Sequence, residues 1–288
     1  MPTMTLTFRR IHPHFVAEAS AIDLRQLHDR PILNQIRAGM DEYAVLVFHD
    51  QSFSNDEQLA FAQRFDGSTR KAGVSAMIGK GRSGYEGLSD ISNVNAKGEI
   101  WSSEDRKRMS RMTNRLWHTD QSYEKPNGRY SMLLAKTVPP VSADTEYADM
   151  RAAYDALDDE TRVRLEGLQV VHNPVHTRSI LGVELSADEK AQIKGAVHPL
   201  IRTIPGSGRR SLYLASHASH IVGWPIPEGR MMLMDLTEHA TQRQFVYQHA
   251  WKVGDFVIWD NRATMHRGRA YDDIKYRREL VRATTLDV

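Results

Sequence analysis

The residues with the most direct chemical potential are His118 and Asp120, in Leu116-Trp117-His118-Thr119-Asp120. In extended backbone, residues i and i+2 project to one face, so an imidazole and a carboxylate would stand side by side with Trp117 and Thr119 turned away. They supply two members of the two-histidine, one-carboxylate set that grips ferrous iron by one face and leaves the other open. The third ligand is expected far along the chain, on a neighbouring strand. His266 is the candidate: two alternating runs, 256–259 and 263–266, bracket the polar stretch Asp260-Asn261-Arg262. Taken alone, a His-x-Asp pair also suits a strand histidine bonded to a nearby aspartate. The residues downstream of His266 separate these readings.

Three protein ligands leave three positions on the metal for a chelating cosubstrate and dioxygen. The cosubstrate this arrangement implies is 2-oxoglutarate, which chelates through its keto-acid end and needs a buried cation for its far carboxylate. Arginine suits that task because its planar fork pairs bidentately and keeps its proton. The C-terminal run puts Arg278 and Arg282 on one strand face, with apolar Leu280 between them. Two inward cations on an apolar face are very costly unless anions meet them. Arg278 is therefore assigned to 2-oxoglutarate and Arg282 to a substrate carboxylate; a pair of surface arginines is the plainer reading, against which Leu280 speaks. His172 and His176 lie four apart and His217 and His220 three apart. Neither pair sits on a convincing helix or has a glutamate placed for hydrolytic zinc chemistry, so these and His249 read as structural. Two other functions stay open. A zinc hydrolase on the same triad leaves Arg278 and Arg282 unexplained, and a non-catalytic small-acid binding protein leaves the triad unexplained.

Composition narrows the rest. The 288 residues are 41% hydrophobic and 26% charged, enough for one large core. A formal net charge of +2 without a dense Lys/Arg block gives no nucleic-acid footprint. The absence of cysteine excludes disulfides, Cys-ligated zinc, iron–sulfur clusters and thiol nucleophiles, and suits a reducing compartment. No stretch has the length and apolarity of a membrane span or signal h-region. The expectation is a cytoplasmic enzyme of small molecules with no nucleic-acid or membrane partner, association into a homo-oligomer being left open.

The elements that must position these residues follow from pattern. A helix is predicted over 31–42, a buried strand over 44–48, and a helix over 55–65 opened by the capping box Ser54-x-x-Glu57. From Asp66 to Asn114 periodicity dissolves, apart from a short strand at 88–91. Glycines and charges dominate, and the stretch reads as lids over the site mouth. Strands follow at 130–135 and 145–148. Asp149 caps a helix to Leu157, a second helix covers 159–168, and Ser186-x-x-Glu189 caps a short third. Strands 197–204 and 211–215 flank Gly206-Ser207-Gly208, a hairpin turn rather than a phosphate loop, since a strand follows it. A helix runs from Pro227 to Ala240, and Phe245, Tyr247, His249 and Trp251 alternate on a strand. With no linker visible, the chain reads as one domain over 1–288, an α+β jelly roll with helices packed outside.

The constellation His118-x-Asp120, Thr145, Trp259-Asp260-Asn261, His266, Arg278 and Arg282 resembles the TauD/TfdA family of iron- and 2-oxoglutarate-dependent dioxygenases. The similarity spans most of the chain and is closest to members that cleave 2,4-dichlorophenoxyacetate. It is dense at 152–157, 217–220, 238–243 and 259–271. The resemblance implies a double-stranded β-helix core, cupin-like, with long active-site loops. It implies that Thr145 shares with Arg278 the far carboxylate of 2-oxoglutarate, that Trp259 belongs to the cofactor site, and that Asn114 lies near substrate. The implied activity is hydroxylation of a C–H beside an ether oxygen of an aryloxyalkanoate, consuming dioxygen and giving a phenol, glyoxylate, succinate and carbon dioxide. The same chemistry on an N-acyl amino acid, a sulfonate or a sulfate ester is the alternative. Two departures bear on substrate. The interval from His266 to Arg278 is one residue longer than the family pattern. Where the family lines its pocket, this chain has Lys71, Lys80 and Arg82 among glycines. Lys71 is a candidate for steering or binding a substrate anion, the plainer reading being an exposed loop lysine.

Overall fold

Alternation along three central strands decides which side of the main sheet each residue serves. The computed structural model describes residues 5–67, 69 and 85–288. In chain order its strands are β1 (Phe8–Arg10), β2 (Ala17–Ala19), β3 (Val45–Phe48), β4 (Leu88–Asp90) and β5 (Gly128–Thr137). Then come β6 (Thr145–Asp149), β7 (Gln169–His172), β8 (Ala196–Pro199), β9 (Ile201–Thr203) and β10 (Arg210–Leu212). The last are β11 (Ala218–Ile221), β12 (Val246–His249), β13 (Phe256–Asp260), β14 (Thr264–Gly268) and β15 (Glu279–Leu286). The largest sheet has seven strands in the order β1-β2-β3-β13-β5-β15-β4, antiparallel except where β2 meets β3. A three-stranded sheet, β12-β6-β14, carries the rest of the site.

On β5, β13 and β15, the residues Met132, Leu134, Phe256, Ile258, Val281 and Ala283 face one way. They pack on the helices Arg30–Tyr43 and Asn55–Asp66 through Ile32, Ile36, Met40, Phe61 and Phe65. Each such large side chain stabilises by about 1.5–3 kcal/mol when fully buried. The opposite face, Leu133, Ala135, Val257, Trp259 and Leu280, packs against Tyr147 of the small sheet. The period of two therefore puts Ser131, Arg278, Arg282 and Thr284 on the face that looks into the space between the sheets. The capping box at Ser54 and Glu57 forms in both directions, and so does that of Ser186 and Glu189.

Several elements differ from the pattern-based expectation for identifiable reasons. His118 lies in a single antiparallel bridge to His266 rather than in a continuous strand. The chain enters it from the 3-10 turn Met112–Arg115 and leaves through Gln121, whose φ is +56°. The short strand expected at 88–91 is present as β4, but 85–114 also holds an unexpected helix, Arg106–Arg111, capped by Asp105. That helix has no apolar stripe, so periodicity could not reveal it. The run 197–204 splits at Leu200, whose N–H turns to the Leu168 carbonyl and whose carbonyl accepts from Tyr213. Only 246–249 of the 245–251 alternation is strand, and the helix from Asp159 ends at Leu165. The runs flanking Asp260-Asn261-Arg262 are strands as expected, but they belong to different sheets, so the turn between them carries the chain across the core.

Candidate metal centre and active site

His118 and His266 are brought together by main-chain pairing. The His118 N–H donates to the His266 carbonyl at 3.0 Å, and the His266 N–H donates back at 2.8 Å. Their rings lie 4.2 Å apart between centroids. Asp120 completes the group: one carboxylate oxygen is 3.9 Å from His118 Nε2 and the other 3.7 Å from His266 Nε2. Ligand atoms of all three residues lie within 4.8 Å of one another, and all three residues are buried. Among the described residues this is the one such cluster, so His172, His176, His220 and His249 form no second centre.

The surroundings prepare these groups as ligands. His118 Nδ1 lies 2.8 Å from the Leu116 carbonyl, which fixes the tautomer and leaves Nε2 as a lone pair facing Asp120. Burial lowers the pKa of His118, Asp120 only partly opposing it, and burial with His118 alongside lowers that of His266 well below the usual value. Both rings are therefore neutral, the form that binds metal. His266 Nδ1 is buried with no hydrogen-bond partner among the described residues. Its ring is held instead by packing against Trp259, at 4.7 Å, and nearly parallel to Tyr147, at 6.1 Å. Burial would raise the Asp120 pKa, but the Arg282 guanidinium, helped by the Ser131 hydroxyl, overcomes it and keeps the carboxylate ionised. An anionic carboxylate between two neutral imidazoles fits a divalent cation of the ferrous type.

Two residues whose roles the sequence pattern does not define, Ser131 and Asn261, hold Asp120 in place. Ser131 Oγ donates to one carboxylate oxygen at 2.7 Å. Asn261 Oδ1 accepts from the Asp120 N–H at 3.1 Å and from Trp259 Nε1 at 3.1 Å. Its Nδ2 donates to Ser131 Oγ at 3.0 Å. Gly128 lies close by: a Cβ there would stand 3.0 Å from the Asp120 carbonyl oxygen and 3.1 Å from Thr284 Cγ2, so a larger residue would push on the Asp120 backbone. The signal available for Ser131 was its strand phase, which it shares with Leu133, but phase alone does not say that Asp120 lies opposite. Partners of this kind orient metal ligands. Ser131→Ala is expected to weaken Fe(II) binding by roughly 10- to 100-fold, measured by metal titration, with little loss of fold.

The other expected residues fall in two groups. Arg282 Nη1 donates to the second Asp120 oxygen at 2.6 Å. Arg282 and Asn114 line a pocket with His118, Asp120, Tyr123, Thr177, Arg178 and His217. His217, expected to be structural, thus stands in the pocket wall, its Nδ1 2.6 Å from Thr177 Oγ1. Arg278 is absent from that wall. Burial lowers its pKa, and Tyr271, Tyr147 and Asp144 only partly offset this. Its Nε is buried with no partner, and among the described residues no carboxylate pairs with it. Thr145, chain neighbour of Asp144, is buried and accepts from Trp251 Nε1 at 2.9 Å. Trp259 packs on His266, and its indole N–H is taken by Asn261. Lys71 lies outside the described residues.

A jelly-roll core, a neutral-imidazole and carboxylate triad, and two separate part-buried arginines define a mononuclear non-haem iron oxygenase site. The chain belongs to the taurine catabolism dioxygenase TauD, TfdA family, whose sequence model matches residues 7–284. It is a 2-oxoglutarate-dependent dioxygenase using Fe(II) and O2. The alpha-ketoglutarate-dependent 2,4-dichlorophenoxyacetate dioxygenase of Cupriavidus pinatubonensis is 46% identical over 285 residues, 99% of either chain. The (S)-phenoxypropionate/alpha-ketoglutarate-dioxygenase of Sphingobium herbicidovorans is 33% identical over 267 residues, 90% of this chain and 87% of its own. The crystal structure of AAD-2 in complex with Mn(II) and N-oxalylglycine superposes with a TM-score of 0.90 at 42% identity. That match covers 98% of this chain and 97% of the other.

Proposed function

We propose that this dioxygenase cleaves aryloxyalkanoates of the phenoxyacetate type, releasing a phenol and glyoxylate. The observation that carries the reading is the Arg282 guanidinium, bonded to Asp120 in the wall of the pocket that reaches the metal ligands. The guanidinium there, with N–H groups beyond the one bonded to Asp120, orients a substrate acid group so that its neighbouring carbon faces the metal. The names of the relatives above point to the same substrates. Fe(II) held by His118, Asp120 and His266, with 2-oxoglutarate, supplies the dioxygen activation that places a hydroxyl on that carbon, with succinate and carbon dioxide released. Hydroxylation beside an ether oxygen gives a hemiacetal, whose collapse yields the phenol.

This chain's residues bind, orient and exclude water. Arg278 with Thr145 takes the far carboxylate of 2-oxoglutarate, since a part-buried guanidinium with no carboxylate partner among the described residues needs an anion. Trp259 fixes the His266 ring beside the cosubstrate site. Arg282 and Asn114 set the substrate's angle; a misplacement of ~1 Å can cost about 100-fold in rate. Lys71 belongs to the same assignment as an outer anion contact. The strands β1 and β15 share one sheet, which supports a single catalytic domain over 1–288, and Asn114 in the pocket wall supports the lid assignment for 66–114. No helix among the described residues is long and apolar enough to cross a membrane. The reading is of a cytoplasmic enzyme with small-molecule carboxylate substrates and no nucleic-acid or membrane partner.

The test is a panel of phenoxyacetates, phenoxypropionates, N-acyl amino acids, sulfonates and alkyl sulfates, scored by succinate release and phenol formation. Phenol release matching succinate, at the highest kcat/KM for an aryloxyalkanoate, is expected. Succinate release driven best by a sulfonate, a sulfate ester or an N-acyl amino acid would remove the aryloxyalkanoate assignment.

A further inference from the structure

Arg178 is a buried cation that no carboxylate among the described residues neutralises. It lies in the last turn of the helix Pro174–Ile180, which Asn173 caps, and is 8% exposed. It lines the same pocket as His118, Asp120 and Arg282. Among the described residues its side chain makes one hydrogen bond, from Nη1 to the Pro174 carbonyl at a long 3.3 Å. Its Nε is buried with no partner. Arg151, Arg262 and Arg282 show the usual solution, each with a carboxylate at 2.9, 2.6 and 2.6 Å. Arg178 has none among the described residues, and Glu189, on the same side, is already paired with Arg106 at 2.6 Å. The residues outside the description, 1–4, 68 and 70–84, contain no Asp or Glu. Burial lowers the guanidinium pKa, with Tyr123 and Glu189 only partly opposing.

A guanidinium taken out of water without an anion is strongly unfavourable, and a ligand that brings one recovers that free energy. Arg278 is in the same condition, and there the anion is the cosubstrate. Arg282 differs, because Asp120 already meets its charge. We propose that Arg178 is the specificity-determining residue of the substrate pocket: it receives the substrate's acid group and selects acids over neutral analogues, while Arg282 gives that group its direction. The proposal rests on the substrate being an aryl acid, as argued above, but not on the acid being an aryloxyacetate. Tyr123 and His217, whose rings meet edge to face at 4.9 Å, supply aromatic surface in the same wall.

The experiment measures binding to the anaerobic enzyme loaded with Fe(II) and 2-oxoglutarate, by calorimetry. The probes are phenoxyacetate, benzoate and benzenesulfonate, each against its neutral amide. Wild type is expected to prefer the acids. Arg178→Gln is expected to weaken the preferred acid by about 30-fold or more, as for truncation of one partner of a buried charge pair, with the amide changed by less than about threefold. Arg178→Lys, which keeps charge but not the fork, restores part of that preference. Affinity for 2-oxoglutarate stays at the wild-type value, and the Tm of Arg178→Gln equals or exceeds that of wild type because an unmatched buried charge is gone. Equal weakening of acid and amide, unchanged acid binding, or a lowered Tm that Arg178→Lys restores would each overturn the assignment. Wild type that ignores phenoxyacetate but binds benzoate or benzenesulfonate through Arg178 removes the aryloxyacetate reading and keeps this one. If no acid binds wild type better than its amide, Arg178 has no such role.

Discussion

His118→Ala and Asp120→Ala are each expected to lose turnover to background and to lose tight Fe(II) binding, while the fold persists. The reason is geometric. The two imidazoles are held by reciprocal main-chain bonds, and Asp120 is held through both carboxylate oxygens by Ser131 and Arg282. Removing one ligand leaves two donors on a cation that needs a full face of three. Asp120→Ala carries a second consequence: it strips Arg282 of its carboxylate and leaves a partly buried cation unmatched, a change of the kind that costs about 3–5 kcal/mol when a buried pair is broken. Asp120→Asn keeps the size but loses the charge, and so separates the metal effect from the packing effect. Equilibrium dialysis of Fe(II) and single-turnover succinate release measure both. Wild-type rates in either alanine variant would refute the triad.

Arg278→Gln is expected to raise the KM for 2-oxoglutarate by roughly 30-fold or more, with the substrate dissociation constant little changed. Its guanidinium has no carboxylate of the described chain to lose, so the effect falls on the ligand that supplies one. Arg282→Ala is the mirror case, weakening substrate more than cosubstrate. Swapped phenotypes in the two variants would show that the two arginines exchange roles.

The parts of the site legible in the sequence are those whose chemistry resides in residue type. An imidazole two positions from a carboxylate, a distant histidine beyond a polar turn, and arginines flanking Leu280 need only spacing to be noticed. Strand phase then predicts that Arg278, Leu280 and Arg282 share a face, and Leu280 indeed lies between the sheets. The roles of Ser131, which no pattern marks, and of Asn261, which only the motif Trp259-Asp260-Asn261 marks, are not legible because they depend on register and on a loop crossing between sheets. Ser131 sits opposite Trp259 on one side and Thr284 on the other, and only this pairing brings it under Asp120. Asn261 acts from a turn whose flanking strands belong to different sheets. Arg178 escaped for a different reason: the helix Pro174–Ile180 is too short for periodicity to register, although Asn173-Pro174 is a cap followed by a first-turn proline. Alternation predicts a strand at His118 because pattern cannot distinguish one bridge from a ladder; the single bridge to His266 positions it equally well.

The most direct measurement of the central claim is an anaerobic titration of the wild-type protein with Fe(II) and then 2-oxoglutarate, followed by visible absorption. A charge-transfer band that grows to saturation at one Fe(II) per chain, is absent with Zn(II), and vanishes in His266→Ala is the expected result. Saturating 2-oxoglutarate that produces no band on the Fe(II)-loaded protein, or a band that survives in His266→Ala, would contradict it.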